Sequence, residues 1–334
     1  MLQELFRIPL PQFLQNLLGK PYLPIFGYGL MMVIGFLLGA QLAKYLARRH
    51  GLNGDTFVNA CLLALVSGVV GARLSHVLEN LFTGGTEFAR NGKSFVDNLG
   101  NMLNVSSGGL TFYGGFLLAT PVLIFYAVWK RIPLLRGMDI IAPALMVGLA
   151  FGRIGCFLNG CCYGEECSLP WGAHFPYGSN AFVEQYEHGE ITVPPELTDP
   201  RHPLASGLPR LLSKEEIRKD PQLTALANSL RARPVHPTEL YSTFTSFFVA
   251  AICLAYFSLS PAPGRVFALM LILKGASRFT LEMIRVEPPV IGNLSFSMVI
   301  GVGLVIAGIL MWLACGRFDT RPKGAPIHNP IPAT

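Results

Sequence analysis

Charge is scarce in this chain. Only 14% of its 334 residues are Asp, Glu, Lys or Arg, and 51% are hydrophobic. A soluble domain carries about 25% charged residues. The shortage, with the apolar residues gathered in blocks, argues against a water-soluble globule. A hydrocarbon core of about 30 Å needs roughly 20 apolar residues per helix, and the blocks are of that order. A single basic patch is also lacking. The formal charge is +6, but Lys and Arg flank apolar blocks, so no nucleic-acid surface is implied. The flanking pattern is that of a positive-inside membrane protein, whose partners are membrane lipids with anionic head groups. Paired CxxC motifs are absent, so the seven cysteines form no standard zinc pattern. No cleavable signal is evident at the N-terminus. No pair of matching interrupted segments suggests the inverted repeat of a transporter.

What is present reads as an all-α polytopic membrane protein with about seven transmembrane helices and an outward-facing polar insert. Residues 1–22 form an amphipathic N-terminal segment able to lie on the membrane surface. Residues 23–164 hold spans one to four, near 23–47, 58–81, 109–129 and 138–158. Residues 165–235 form a proline-rich, semi-ordered insert, and residues 236–315 hold spans five to seven, near 240–259, 266–283 and 294–314. The tail 316–334 is basic and proline-rich. Within the insert, Ser213 and Glu216 have capping-box spacing. Asp220-Pro221 reads as an N-cap followed by proline at the first helical position. Two short helices are expected there. The loops after spans one, three and seven are the richer in Lys and Arg. This places the N-terminus and the insert outside and the C-terminus in the cytoplasm.

The chemistry concentrates where charges meet apolar spans. The segment Gly152 to Gly164, GRIGCFLNGCCYG, sets Arg153 at the end of span four with Asn159 and three cysteines. On span six, Arg278, Glu282 and Arg285 recur at i, i+4 and i+7, one stripe on one face. Arg73, His76 and Asn80 share a face of span two. Charges inside a membrane survive when paired or facing a cavity. The bland alternative for the span-six stripe is a helix-locking ion pair. Several guanidiniums with few acids form a phosphate site. His236 and Tyr241 lie in HPTELY, where the insert re-enters the membrane. A histidine there can cap a helix or move protons. Tyr28 and Tyr113, alone, read as interfacial aromatics. Cys156, Cys161, Cys162 and Cys167 are spaced C-x4-C-C-x4-C. Structural disulfides or packed thiols rank first for them, and a metal last.

Together these segments resemble the prolipoprotein diacylglyceryl transferase family. Its signature GRxGNFxNxExxG matches Gly152, Arg153, Gly155, Phe157, Asn159 and Gly164. Its HGG element corresponds to Tyr113-Gly114-Gly115 and its HPxQLYE element to His236-Pro237-Thr238-Glu239-Leu240-Tyr241. Its R-x3-E-x2-R stripe corresponds to Arg278, Glu282 and Arg285, its YGL to Tyr28-Gly29-Leu30, and its GGR to Gly71-Ala72-Arg73. The chain departs from the pattern at Tyr113 (family His), Cys156 (Asn), Cys161 (Glu), Ser242 (Glu) and Lys274 (Tyr).

The resemblance implies an enzyme of the bacterial cytoplasmic (inner) membrane. It would move the diacylglyceryl group of phosphatidylglycerol to the lipobox cysteine of a prolipoprotein signal peptide, forming a thioether and releasing glycerol phosphate. No metal or organic cofactor is implied. The resemblance assigns Arg153, Arg278, Arg285, Arg73, Tyr28, Asn159, Gly164 and Tyr241 to phosphatidylglycerol. It assigns Arg153, Arg278 and Glu282 to the reaction, with Tyr113, His76 and His236 as candidates for proton transfer. Two other classes stay open. A non-catalytic phospholipid-binding paralogue would bind the lipid and make no thioether. A membrane thiol oxidoreductase would depend on the cysteines instead of Arg278.

Overall fold

The computed structural model describes residues 4–9, 11–13, 15, 22–82, 112–204, 207–259, 261–285, 289–291 and 294–317. The loop 83–107 and the tail from 318 lie outside them. Strand β1 (Glu4–Pro9) pairs antiparallel with β2 (Tyr22–Phe26), where the sequence reading has an amphipathic surface segment. Pro9 and Pro24 lie in these strands, and proline is not tolerated in a helix interior. Then come α1 (Gly27–Arg49), α2 (Gly54–Phe82), α3 (Phe112–Trp129) and α4 (Leu134–Asn159). The insert holds α5 (Asn180–Glu187), β3 (Thr198–Pro203), β4 (Pro209–Leu211), α6 (Lys214–Ile217) and α7 (Pro221–Ser229). The chain re-enters the apolar region as α8 (Thr238–Ser258) and α9 (Arg265–Glu282). Strands β5 (Pro289–Ile291) and β6 (Leu294–Ser295) lead into α10 (Phe296–Arg317).

Each expected span is thus a helix. Five are long and apolar enough to cross a membrane: Gly27–Arg49, Gly54–Asn80, Leu134–Asn159, Thr238–Ser258 and Phe296–Gly316. The apolar part of α3 is shorter, Gly114–Trp129. Helix α9 interrupts its apolar face with Arg265, Lys274, Arg278 and Glu282. These helices expose large apolar side chains such as Leu37, Val66, Phe125, Phe248 and Leu310, as lipid-facing surfaces do. Glycines let them pack closely. A Cβ at Gly71 would lie 2.5 Å from the Gly114 carbonyl oxygen, across α2 and α3. One at Gly275 would lie 2.6 Å from the Gly301 carbonyl oxygen, across α9 and α10.

Several helix ends close by a left-handed residue. At the end of α1, Gly51 has φ +71°, its amide bonds Arg48 O, and the Leu52 amide bonds Ala47 O. This is the Schellman arrangement. Arg131 (φ +54°) plays the same part after α3.

The chain divides into two compact units, Met1–Gly39 with Ala142–Thr320, and Ala40–Ile141 with Arg321–Thr334. In the first, the insert is packed around its own core, where semi-order was expected. Phe175, Phe182, Leu197 and Val235 are all buried there. These residues come from different short elements, so no period announces them. Both expected helices are present. The Ser213–Glu216 capping box is complete on both sides, and the Asp220 side chain accepts from the Gln222 amide ahead of Pro221.

Candidate functional site

The insert begins and ends at one place. His236 N bonds Glu165 O at 2.9 Å, Gly164 N bonds His236 O at 2.9 Å, and Cys167 N bonds Pro234 O at 2.9 Å. The end of α9 joins them, since Glu165 N bonds Ile284 O at 3.1 Å. Three motifs far apart in sequence therefore meet at Gly164. A Cβ there would lie 2.7 Å from Thr238 Cγ2, 2.9 Å from His236 Cβ and 2.9 Å from Ile284 O. The close approach of these three segments of the chain requires glycine at 164. Thr238 Oγ1 donates to Cys162 O at 2.7 Å and fastens the same corner.

Around this corner stand the charges. The Glu282 side chain is fully buried and pairs with Arg278 at 3.2 Å and Arg285 at 3.5 Å. The stripe read from the sequence is therefore a two-sided clamp. Arg278 Nη2 also donates to Ser297 Oγ on α10 at 2.6 Å, and a quarter of the Arg278 side chain stays accessible. Lys274, one turn earlier, donates to Ser246 Oγ at 3.4 Å and lies within the fields of Arg153 and Arg278. Arg153, on α4, and Arg285 both act on Cys162 and on Glu239. Arg153, Lys274, Arg278 and Arg285 so form one cationic region of the first unit, with Glu282 as its buried anion.

Glu239 was read from the sequence only as part of the HPTELY element, with no role of its own. It lies in the first turn of α8, wholly buried, and among the described residues its carboxylate oxygens have no hydrogen-bond partner beyond its own amide. A buried carboxylate without hydrogen-bond donors is costly, and the fields of Arg153 and Arg285 offset that cost in part, which makes Glu239 a candidate site residue. The available signal was an acid at the edge of an apolar span, hidden by its place in a helix's first turn, where an acid is ordinary.

The other named residues fall as follows. Tyr28 opens α1, 43% exposed, beside Gly155 and the Arg153 field. Asn159 ends α4 and hydrogen-bonds the Cys161 sulfur. His236 Nδ1 is 3.4 Å from the Tyr241 hydroxyl, which accepts from Trp171 Nε1 at 2.8 Å. That chain of contacts anchors His236 to the insert. Arg73 is buried on α2, in the second unit, where Asn80 Nδ2 lies 3.3 Å from His76 Nε2 and bonds the His76 carbonyl. Tyr113 opens α3, and its side chain lies outside the described residues.

No disulfide joins the cysteines. All seven are thiols, so of the two readings ranked first the packed thiols are the ones present. The Cys156, Cys161 and Cys162 sulfurs lie within 4.8 Å of one another. Hydrogen bonds with Cys156 and then Cys161 hold the Cys162 thiol well below its ordinary range, against its burial, with help from Arg153 and Arg285.

The chain matches the family model described as prolipoprotein diacylglyceryl transferase over residues 16–314. It belongs to that family. Among relatives, a Clostridium tetani protein is 26% identical over 293 residues, covering 87% of this chain and 93% of its own. A Burkholderia mallei protein is 28% identical over 298 residues, 86% of this chain and 89% of its own. A Rhodopirellula baltica protein is 33% identical over 180 residues, 53% of this chain and 35% of its own. Each relative carries the name phosphatidylglycerol–prolipoprotein diacylglyceryl transferase. The matched region of this family member contains every motif of the cationic corner.

Proposed function

We propose that this chain transfers the diacylglyceryl group of phosphatidylglycerol to the cysteine thiol of a prolipoprotein lipobox. The observation that carries the reading is the clamp of Arg278 and Arg285 on buried Glu282, with Arg153 and Lys274 beside it. Even with Glu239 ionised beside Glu282, two anions among four cations leave positive charge for a phosphate. The clamp holds Arg278 and Arg285 in place before substrate arrives. In the reaction, the lipobox thiol loses its proton and the thiolate attacks the glyceryl carbon bearing the phosphate ester. The C–O bond breaks, the C–S bond forms, and glycerol phosphate leaves as an anion. Arg153 and Arg278 bind that phosphate and stabilise its growing charge. Arg285 supports the same field, and Glu282 is a positioning residue. Glu239, beside Arg153 and Arg285, takes the thiol proton.

The insert and the cationic corner face the outer side of the cytoplasmic membrane, with the N-terminus outside and the C-terminus inside. The loops rich in Lys and Arg, which include Arg48, Arg49, Lys130 and Arg131, support this orientation.

The test is rescue of a bacterium depleted of its own transferase, with thioether formation followed on a lipobox peptide in phosphatidylglycerol vesicles. Rescue and product are expected. Lipid binding without product, in verified folded protein, would establish a phospholipid-binding relative instead.

A further inference from the structure

We propose that Cys156, Cys161 and Cys162 form a binding site for one thiolate-preferring d10 cation, Zn2+ or Cu+, which locks the turn leaving α4. The proposal is independent of the transferase activity.

The backbone explains why the thiols converge. Helix α4 ends in a Schellman arrangement. Gly160 is left-handed at φ +71°, its amide bonds Phe157 O, and the Cys161 amide bonds Cys156 O, both at 3.2 Å. That places Cys156 and Cys161 at the two positions whose side chains meet across this cap. In other helices an apolar pair closes the contact; here it is two thiols. The next residue, Cys162, is also left-handed, at φ +68°. Among the described residues it shares a positive φ without being glycine only with Arg131. This second reversal turns Cys162 back to the same point. Thr238 holds it there through the Cys162 carbonyl.

The dimensions and charge fit a soft cation. The three sulfurs lie within 4.8 Å of one another. A metal–sulfur bond of about 2.3 Å gives a trigonal tri-thiolate with sulfurs roughly 4 Å apart. All three cysteines are half-buried, so an ion can enter and a water can complete a Zn2+ shell. A tri-thiolate complex of either ion is anionic, and the guanidiniums of Arg153 and Arg285 act on Cys162 to offset that charge. Asn159 hydrogen-bonds the Cys161 sulfur, as groups around metal ligands commonly do. Binding exchanges three S–H protons, released to solvent, for three sulfur–metal bonds, with no change of oxidation state. The spacing C-x4-C-C hid the site because its ligands come from a helix end folded on itself.

The experiment uses the reduced full-length protein in detergent micelles. One arm offers Zn2+ against a chelating dye, and the other offers Cu+ against a copper(I) chelator without oxygen. One ion per chain retained through desalting in either arm is expected, and the retaining arm identifies the ion. Cys156→Ser, Cys161→Ser and Cys162→Ser should each weaken binding roughly tenfold or more, while Cys167→Ser and Cys61→Ser bind as the unaltered chain does. A second measurement needs no variant. The bound ion should slow alkylation of Cys156, Cys161 and Cys162 by roughly tenfold or more and leave Cys167 unchanged, read by peptide mass spectrometry. Retention of neither ion, equal retention after Cys162→Ser, or equal protection of Cys167 overturns the proposal.

Discussion

Replacing Glu282 with alanine removes the one anion that two guanidiniums share. The Glu282 side chain is completely buried, while Arg278 and Arg285 keep 25% and 16% of theirs accessible. Breaking a buried pair from one side costs about 3–5 kcal/mol because a charge is left without its partner. Here the orphaned charges are partly accessible and rehydrate, so the lower end, about 3 kcal/mol, is expected. Arg278→Ala is milder. It leaves Glu282 paired to Arg285 at 3.5 Å and removes the Arg278 contacts to Glu282 and Ser297 Oγ, about 2 kcal/mol. The two substitutions share an interaction and should not add. A coupling of about 1.5 kcal/mol, within the range for contacting residues, is expected between them. The assay is denaturant-driven unfolding of the full-length protein in mixed micelles, for the parent, both single variants and the double variant. A Glu282→Ala loss below about 1 kcal/mol, or additivity within about 0.5 kcal/mol, would refute the clamp. Glu282→Gln keeps the shape, and its loss should be smaller than that of Glu282→Ala.

Under the proposed reaction, Arg278→Ala should lower turnover of a lipobox peptide by roughly 10²–10³-fold, the cost of removing a donor from a developing oxyanion. An unchanged rate in folded protein removes Arg278 from the phosphate site. Glu239→Gln should lower turnover and abolish the acidic limb of its pH profile; a profile matching the parent's assigns the proton elsewhere. Gly164→Ala forces a Cβ to within 2.9 Å of three neighbouring groups and should destabilise by about 1–3 kcal/mol, seen as a lower unfolding midpoint. In the insert, the Ser213 hydroxyl, then its amide, then Arg210 hold the Glu216 carboxyl at about 2, below its ordinary 4.5. The capping box therefore contributes stability above pH 4.5 and loses it as pH falls towards 2. Amide exchange at Lys214–Ile217, corrected for intrinsic rates, should quicken across that window and not above it.

The spans, the charge stripe and the insert's caps were legible because each is written in local periodicity. Arg278, Glu282 and Arg285 fall on one helical face whatever surrounds them, and the Ser213–Glu216 pair satisfies its own backbone. The N-terminal strands were not legible, since their pairing joins residues as far apart as Glu4 and Phe26. The insert's core was not, because Phe175, Phe182 and Leu197 follow no repeat. Glu239 was overlooked because an acid in a helix's first turn becomes unusual only when burial strips it of water and partners.

By itself, then, the sequence determined that this is a membrane-spanning chain, which motifs carry its charge and which family they resemble. Composition and residue spacing are enough for that, because bilayer thickness and helix pitch are fixed lengths. Only the tertiary structure decided that GRIGCFLNGCCYG, HPTELY and the end of the arginine stripe share one corner, where Gly164 admits no side chain. It also decided that Glu282 answers two arginines and that three thiols meet. The shared corner depends on hydrogen bonds from Gly164 to His236 and from Glu165 to Ile284, and no local pattern encodes a contact whose partners lie that far apart.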